Sequence, residues 1–91
     1  MLEHIFASKT QGKILRILFN QPNQSFYQRQ IAKIAEESLG STQYEIKRLL
    51  KIGLIDAQKT HNKVFYSLNK NFYLYSEIRN IFFKTAQRSL K

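Results

Sequence analysis

Apolar residues recur every three to four positions in four stretches of the chain and every second position in one, and this rhythm predicts four helices and a hairpin. The first helix is predicted to begin at Ser8-Lys9-Thr10-Gln11, a capping-box pattern in which a hydroxyl and an amide side chain satisfy orphan backbone donors. Ile14, Leu15, Ile17 and Leu18 form its apolar face. Asn20-Gln21-Pro22-Asn23 ends it, because proline lacks an amide hydrogen and biases the preceding residue away from helical geometry. Ser25-Phe26-Tyr27-Gln28 repeats the start pattern for a short second helix, with Tyr27, Ile31, Ile34 and Ala35 at helical spacing.

Glu36-Glu37-Ser38-Leu39-Gly40 interrupts the rhythm, after which Thr42, Ile46, Leu49 and Leu50 define a third buried stripe. Gly53 closes that helix as a left-handed cap, with Leu54 placed to touch Leu49 beyond it. From Leu54 to Leu68 the period becomes two. Val64, Tyr66 and Leu68 then share one side of a strand, and His61-Asn62 is the predicted hairpin turn. In the last helix Leu74, Ile78, Ile81, Phe82 and Thr85 form the stripe, while Tyr75, Phe83 and Ala86 widen it beyond what one core face requires. No internal repeat, linker or low-complexity segment interrupts the 91 residues, so residues 1–91 are read as a single domain.

Composition narrows the function. Fifteen Lys and Arg against six Asp and Glu give a net charge of +9, which makes a polyanion the first partner to consider. The chain has no cysteine, which excludes disulfides, thiolate metal sites and thiol nucleophiles together. Met1-Leu2-Glu3-His4-Ile5-Phe6 lacks a basic region followed by an apolar stretch, and no apolar run approaches the ~18 residues of a membrane span, so a cytoplasmic protein without membrane contact is expected. No catalytic arrangement emerges. Glu36 and Glu37 are adjacent and diverge on a helix, no spacing joins a nucleophile to a base, and Gly12, Gly40 and Gly53 are too scattered to cradle a phosphate. No enzyme activity and no cofactor are therefore expected.

With Thr42, Ile46, Leu49 and Leu50 inward, the third helix turns Ser41, Tyr44, Lys47, Arg48 and Lys51 outward, with Gln43 on the border. Glutamine suits adenine edges, hydroxyls are permissive, and lysine or arginine takes guanine or phosphate. Lys59, His61, Asn62 and Lys63 cluster at the hairpin, where phosphate or the minor groove is the natural contact, and Arg29 and Lys33 of the second helix are placed to position the backbone.

Three helices, a hairpin and a closing helix follow the order of a winged helix-turn-helix, a mostly α fold with a two-stranded wing. Ile31-Ala32-Lys33 and Gln43-Tyr44-Glu45-Ile46-Lys47-Arg48-Leu49 resemble the helix-turn-helix of ArsR-like transcriptional regulators. Gly53-Leu54-Ile55 is similar to that family's end of the recognition helix, and Lys63-Val64-Phe65-Tyr66 to its second wing strand. Asn69 with Leu74-Tyr75, Glu77-Ile78-Arg79 and Lys84-Thr85 resembles the closing helix of small prokaryotic members, some standing alone and some preceding a nucleotidyltransferase domain. The likeness runs from about Phe6 to Thr85. It departs at the turn, where members commonly carry glycine in place of Glu36 and a hydrophobic residue in place of Glu37; Gly40 is then expected to supply the flexibility, in a longer or distorted turn. The metal-sensing branch uses cysteine and histidine ligands, and with only His4 and His61 here no metal is expected.

The resemblance implies a repressor of transcription that reads double-stranded DNA with its third helix. It also implies a homodimer through the terminal helices, in which Leu2, Ile5 and Phe6 of one chain meet Tyr75, Phe83 and Ala86 of the other. The alternative expectations are a winged helix used to dock another protein and, more distantly, RNA binding by the same basic face.

Overall fold

The computed structural model describes residues 8–89, the side chains of 85–89 excepted. The elements are α1 (Lys9–Asn20), β1 (Phe26–Tyr27), α2 (Gln28–Ala35), α3 (Leu39–Ile52), β2 (Ile55–Thr60), β3 (Lys63–Leu68) and α4 (Tyr75–Ser89). Ser8 caps α1 and makes the hydroxyl half of the predicted capping box: extended at φ −154° and ψ 162°, its hydroxyl accepts the Gln11 N–H at 3.0 Å, while the Gln11 side-chain amide donates to Glu45. The start of α2 differs from expectation. Tyr27, not Ser25, is the N-cap, and the Gln30 side chain reaches back to accept the Tyr27 N–H at 3.4 Å. Phe26 and Tyr27 are drawn into a short strand that pairs antiparallel with β3, Phe26 opposite Tyr66 and Tyr27 opposite Phe65. The wing is thus the outer part of a three-stranded sheet ordered β1-β3-β2. Consequently α2 buries Ile31, Ala32 and Ala35, while Tyr27 and Ile34, both expected inward, are exposed.

Both α2 and α3 stop by the same device. Gly53 is left-handed at φ 90°, with its N–H donating to Leu50 O and the Leu54 N–H donating to Leu49 O; the Leu49–Leu54 closure follows the sequence reading. At the end of α2 the same pair of bonds, Glu36 N–H to Lys33 O and Glu37 N–H to Ala32 O, is made with Glu36 itself left-handed at φ 55°, ψ 45°. The turn is therefore neither longer nor distorted, and Gly40 does not serve it: Gly40 lies in the first turn of α3, which Ser38 caps by accepting the Ser41 N–H at 3.0 Å. A left-handed non-glycine residue costs about 1–2 kcal/mol. The extra freedom of glycine in the unfolded chain takes back about 0.4–1 kcal/mol of any gain. Glu36→Gly should therefore stabilise the domain by about 0.5–1 kcal/mol, read as a higher urea midpoint at unchanged slope. A lower midpoint would show that the Glu36 side chain itself holds the turn.

The core lies where α1, α2 and α3 meet the base of the sheet and one face of α4. Ile14, Leu15, Leu18, Phe19, Phe26, Ile31, Ile46, Leu49, Leu54, Ile55, Leu68 and Phe82 form it, with Ile17, Leu50, Tyr66, Phe72, Tyr75 and Ile78 packed partly buried around them. Thr42 is fully buried, as its place in the stripe requires, but its hydroxyl has no hydrogen-bond partner among the described residues; it serves by size. Asn69 ties the base of the wing to the end of α3. Its N–H donates to Leu54 O at 2.8 Å and its side-chain amide to Gly53 O at 2.9 Å, fixing the end of β3 against the end of α3.

Glu37 uses the departure from a hydrophobic residue to pin the turn to α1. It accepts from Lys13 Nζ at 2.8 Å and Thr10 Oγ1 at 3.1 Å. The Lys13 hydrogen bond, assisted by Thr10 and by the charges of Lys13 and Lys9 against a smaller opposing effect of burial, holds its carboxyl below the ordinary 4.5. Because the folded value is the lower one, the stabilisation is complete above about pH 4.5 and vanishes as pH falls through the folded value. Melting curves of the wild type and Glu37→Gln should accordingly differ at neutral pH and converge as the pH falls below the folded value. A difference that persists to low pH would assign the effect to packing instead of charge.

Candidate nucleic-acid interface

Advancing 100° per residue, α3 gathers Ser41, Arg48, Tyr44, Lys51, Lys47 and Gln43 on one arc, and all six are exposed. Gln43, expected on the border, belongs to the outward set. Tyr44 is 61% exposed, so it projects from the helix instead of folding onto the core. The Arg48 guanidinium lies 5.7 Å from the Tyr44 ring centroid, within cation–π range. On its other side Arg48 Nη1 stands 3.7 Å from Glu45 Oε1.

The wing strands pair in register from Ile55 opposite Leu68 to Thr60 opposite Lys63, leaving His61 and Asn62 as a two-residue connection. His61 takes the positive φ, at 51°. Beyond Ile55 every residue of β2 is exposed, and so are His61, Asn62 and Lys63, which makes the outer wing a solvated ribbon rather than a packed layer. Asp56 is the only acid from Lys47 to Lys63, against Lys47, Arg48, Lys51, Lys59 and Lys63. Field and shape therefore both favour an anionic partner along α3 and the wing.

Of the second-helix residues, Arg29 and Lys33 are exposed. Arg29 and Lys63 line one open cleft of about 520 Å³ with Tyr27, Gln28, Leu39, Val64 and Tyr66, so the wing, the start of α2 and the start of α3 meet there. Lys63 Nζ sits 5.2 Å above the Tyr27 ring, which in turn meets Phe65 edge-on at 5.8 Å. Tyr27 thus positions a wing lysine, a role the sequence reading missed by placing this residue inward. Glu45 was missed as well. It is 4% exposed on α3, where Ser8 Oγ donates to its Oε2 at 2.7 Å and Gln11 Nε2 to its Oε1 at 3.3 Å. Its spacing from Thr42 and Leu49, at i−3 and i+4, was the available signal.

Among the residues expected at a dimer interface, Phe83 is 61% exposed and lines a groove of about 460 Å³ with Phe19, Asn20, Pro22, Arg79, Asn80 and Phe82. Tyr75 is half-buried with its ring 5.5 Å from Phe19, so it serves this chain's own core, whereas Leu74 and Ile81 of the expected stripe are each 37% exposed. Leu2, Ile5, Phe6 and the side chain of Ala86 lie outside the described residues. Among the described residues, no group of three or more His, Cys, Asp or Glu could hold a metal ion, and no helix is long and apolar enough to cross a membrane.

No family model and no curated protein sequence matches the chain. Solved structures do. MepR, a transcription regulator of the Staphylococcus aureus multidrug efflux pump MepA, superposes with a TM-score of 0.71 at 20% identity, over 98% of this chain and 67% of that one. A possible transcriptional regulator from Methanosarcina mazei superposes with a TM-score of 0.66 at 16% identity, over 91% of this chain and 70% of its own. The fold is a winged helix-turn-helix. Within it α2 and α3 are the helix-turn-helix, β2 and β3 the wing, and β1 the short strand that closes the sheet.

Proposed function

We propose that this winged helix is a sequence-specific, double-stranded DNA-binding regulator of transcription, a repressor that occludes its promoter as a homodimer. The observation that carries the reading is the exposed basic arc of α3, continuous in charge with a solvated basic wing, on a fold shared with regulators of transcription. In this reading Ser41, Gln43, Tyr44, Lys47 and Arg48 enter the major groove. Lys51, Lys59, His61, Asn62 and Lys63 meet the backbone or minor groove, and Arg29 and Lys33 fix the register. The ArsR-like motifs support the assignment to small prokaryotic regulators, and the +9 charge supports a soluble protein that works on nucleic acid. That the structural neighbours are regulators of transcription supports a binding protein rather than an enzyme.

The test is a competition titration with random and selected duplexes at several salt concentrations. The domain should bind random duplex at low salt and prefer a selected site, and Gln43→Ala with Tyr44→Ala should relax that preference by at least about tenfold, since each good base contact is worth about 1–3 kcal/mol. Failure to bind any duplex at low salt would overturn the reading in favour of a protein-docking winged helix, for which the exposed Phe83 groove is the candidate surface. Recovery of the same preferred site with the double variant would remove Gln43 and Tyr44 from the groove.

A further inference from the structure

The mechanism just proposed uses every basic side chain on α3 and leaves its one buried charge without a task. Glu45 is 4% exposed within a helix whose outward face carries Lys47, Arg48 and Lys51. A buried carboxylate is costly, and an apolar residue of similar volume would pack the α1–α3 contact at least as well. What the carboxylate adds is directional. Oε2 accepts the Ser8 hydroxyl at 2.7 Å and Oε1 the Gln11 amide at 3.3 Å, both from the first turn of α1. The Ser8 hydroxyl is itself fixed, because it also accepts the Gln11 N–H at 3.0 Å as the cap of α1. The same Oε1 faces Arg48 Nη1 at 3.7 Å, one turn along α3.

We propose that Glu45 is a positioning residue for duplex recognition: anchored by Ser8 and Gln11, it holds the Arg48 guanidinium on the DNA-facing arc of α3. The inference rests on the DNA-binding reading and names the device that sets its specificity. Arg48 is restrained from two sides, by Glu45 at i−3 and by the Tyr44 ring at i−4. Yet its side chain remains 44% exposed, and one Nη at 3.7 Å from the carboxylate leaves most of the five guanidinium N–H donors free for a guanine edge or a phosphate. Rotamer freedom surrendered before DNA arrives is not lost on binding, so a held arginine discriminates better than a free one. Because the anchor lies on α1, the first helix is also tied to α3 by directional polar contacts beside the shared apolar core.

The experiment combines Arg48 side-chain order with a double-mutant cycle. Glu45→Gln retains an acceptor for Ser8 but loses the charge facing Arg48, and Glu45→Asp keeps the charge but retracts it. Both are measured in the wild-type and Arg48→Ala backgrounds, and the aspartate variant is read by the same criteria if the glutamine variant does not fold. In the free protein, the NMR order parameter of the Arg48 Nε–H should fall in either variant. The preference for a selected duplex over random duplex should fall roughly threefold to tenfold, the scale of one immobilised side chain, and should not fall further when Arg48 is already alanine. Unchanged Arg48 order, or losses that multiply across the two positions, would overturn the proposal while leaving DNA binding intact. Absence of duplex binding by the wild-type protein would overturn the functional reading and this inference with it.

Discussion

Replacing Lys59 and Lys63 together with alanine should flatten the salt dependence of duplex binding by about 1.8 in the slope of log K against log salt, because each neutralised phosphate contributes about 0.9. At about 0.1 M salt that slope change corresponds to a loss of affinity on the order of 10- to 100-fold. Both lysines are exposed near the wing tip, on neighbouring strands: Lys59 is opposite Val64 and Lys63 opposite Thr60. Neither supports the core, so the variant should melt within a few degrees of the wild type, as surface substitutions usually do. The loss should also be nearly uniform across sequences, because phosphate contacts carry no base information. This separates the wing from Gln43 and Tyr44, whose removal should alter which duplex is preferred. An unchanged salt slope would place the wing away from the backbone.

The elements behind that expectation were legible in the sequence to different degrees. Gly53-Leu54 announced the end of α3 because a left-handed glycine followed by an apolar residue is a local signal, and the structure makes both of its hydrogen bonds. The hairpin was legible for a similar reason: its period of two and the two-residue break need no information from elsewhere. Phe26 and Tyr27 could not be read this way. A two-residue strand exists only because the free edge of β3 lies beside it, and the Ser25 start pattern that suggested a helix cap was overridden by that pairing.

The turn between α2 and α3 shows where local chemistry underdetermines conformation. Glutamate has no preference for the left-handed region, so Glu36 gave no sign that it would take the conformation usually left to glycine. The surrounding structure imposes it: Glu37 is held by Thr10 and Lys13 of α1, and α3 begins two residues later at Leu39 under its Ser38 cap. The outward arc of α3 was legible as a set of residues, since helical spacing fixes which side chains leave the core together. The supports behind it were not. Glu45 and Tyr27 act through partners 34 to 37 and 36 residues away, respectively, and such pairings become visible only once the chain is folded.

Phe82→Ala and Phe83→Glu, adjacent on α4, should have opposite consequences. Phe82 is 6% exposed and stacks on Phe19 with centroids 5.1 Å apart and planes 10° from parallel. Its truncation should cost about 3–5 kcal/mol, as large aromatic-to-alanine changes in cores do. That is a large share of the stability of a domain of this size, at ~0.05–0.15 kcal/mol per residue, so the melting temperature should fall by at least about 12 °C or the chain should unfold. Phe83 is 61% exposed, and its replacement by glutamate should leave melting nearly unchanged. If α4 pairs two copies, the charge at Phe83 converts a dimer to a monomer in sedimentation equilibrium. The same change should erase the preference for two half-sites about 34 Å apart over one, because a single winged helix reaches only one of them. A wild-type monomer at high micromolar concentration would refute the homodimer, and a Phe83→Glu chain that unfolds would mean the exposed ring serves its own core.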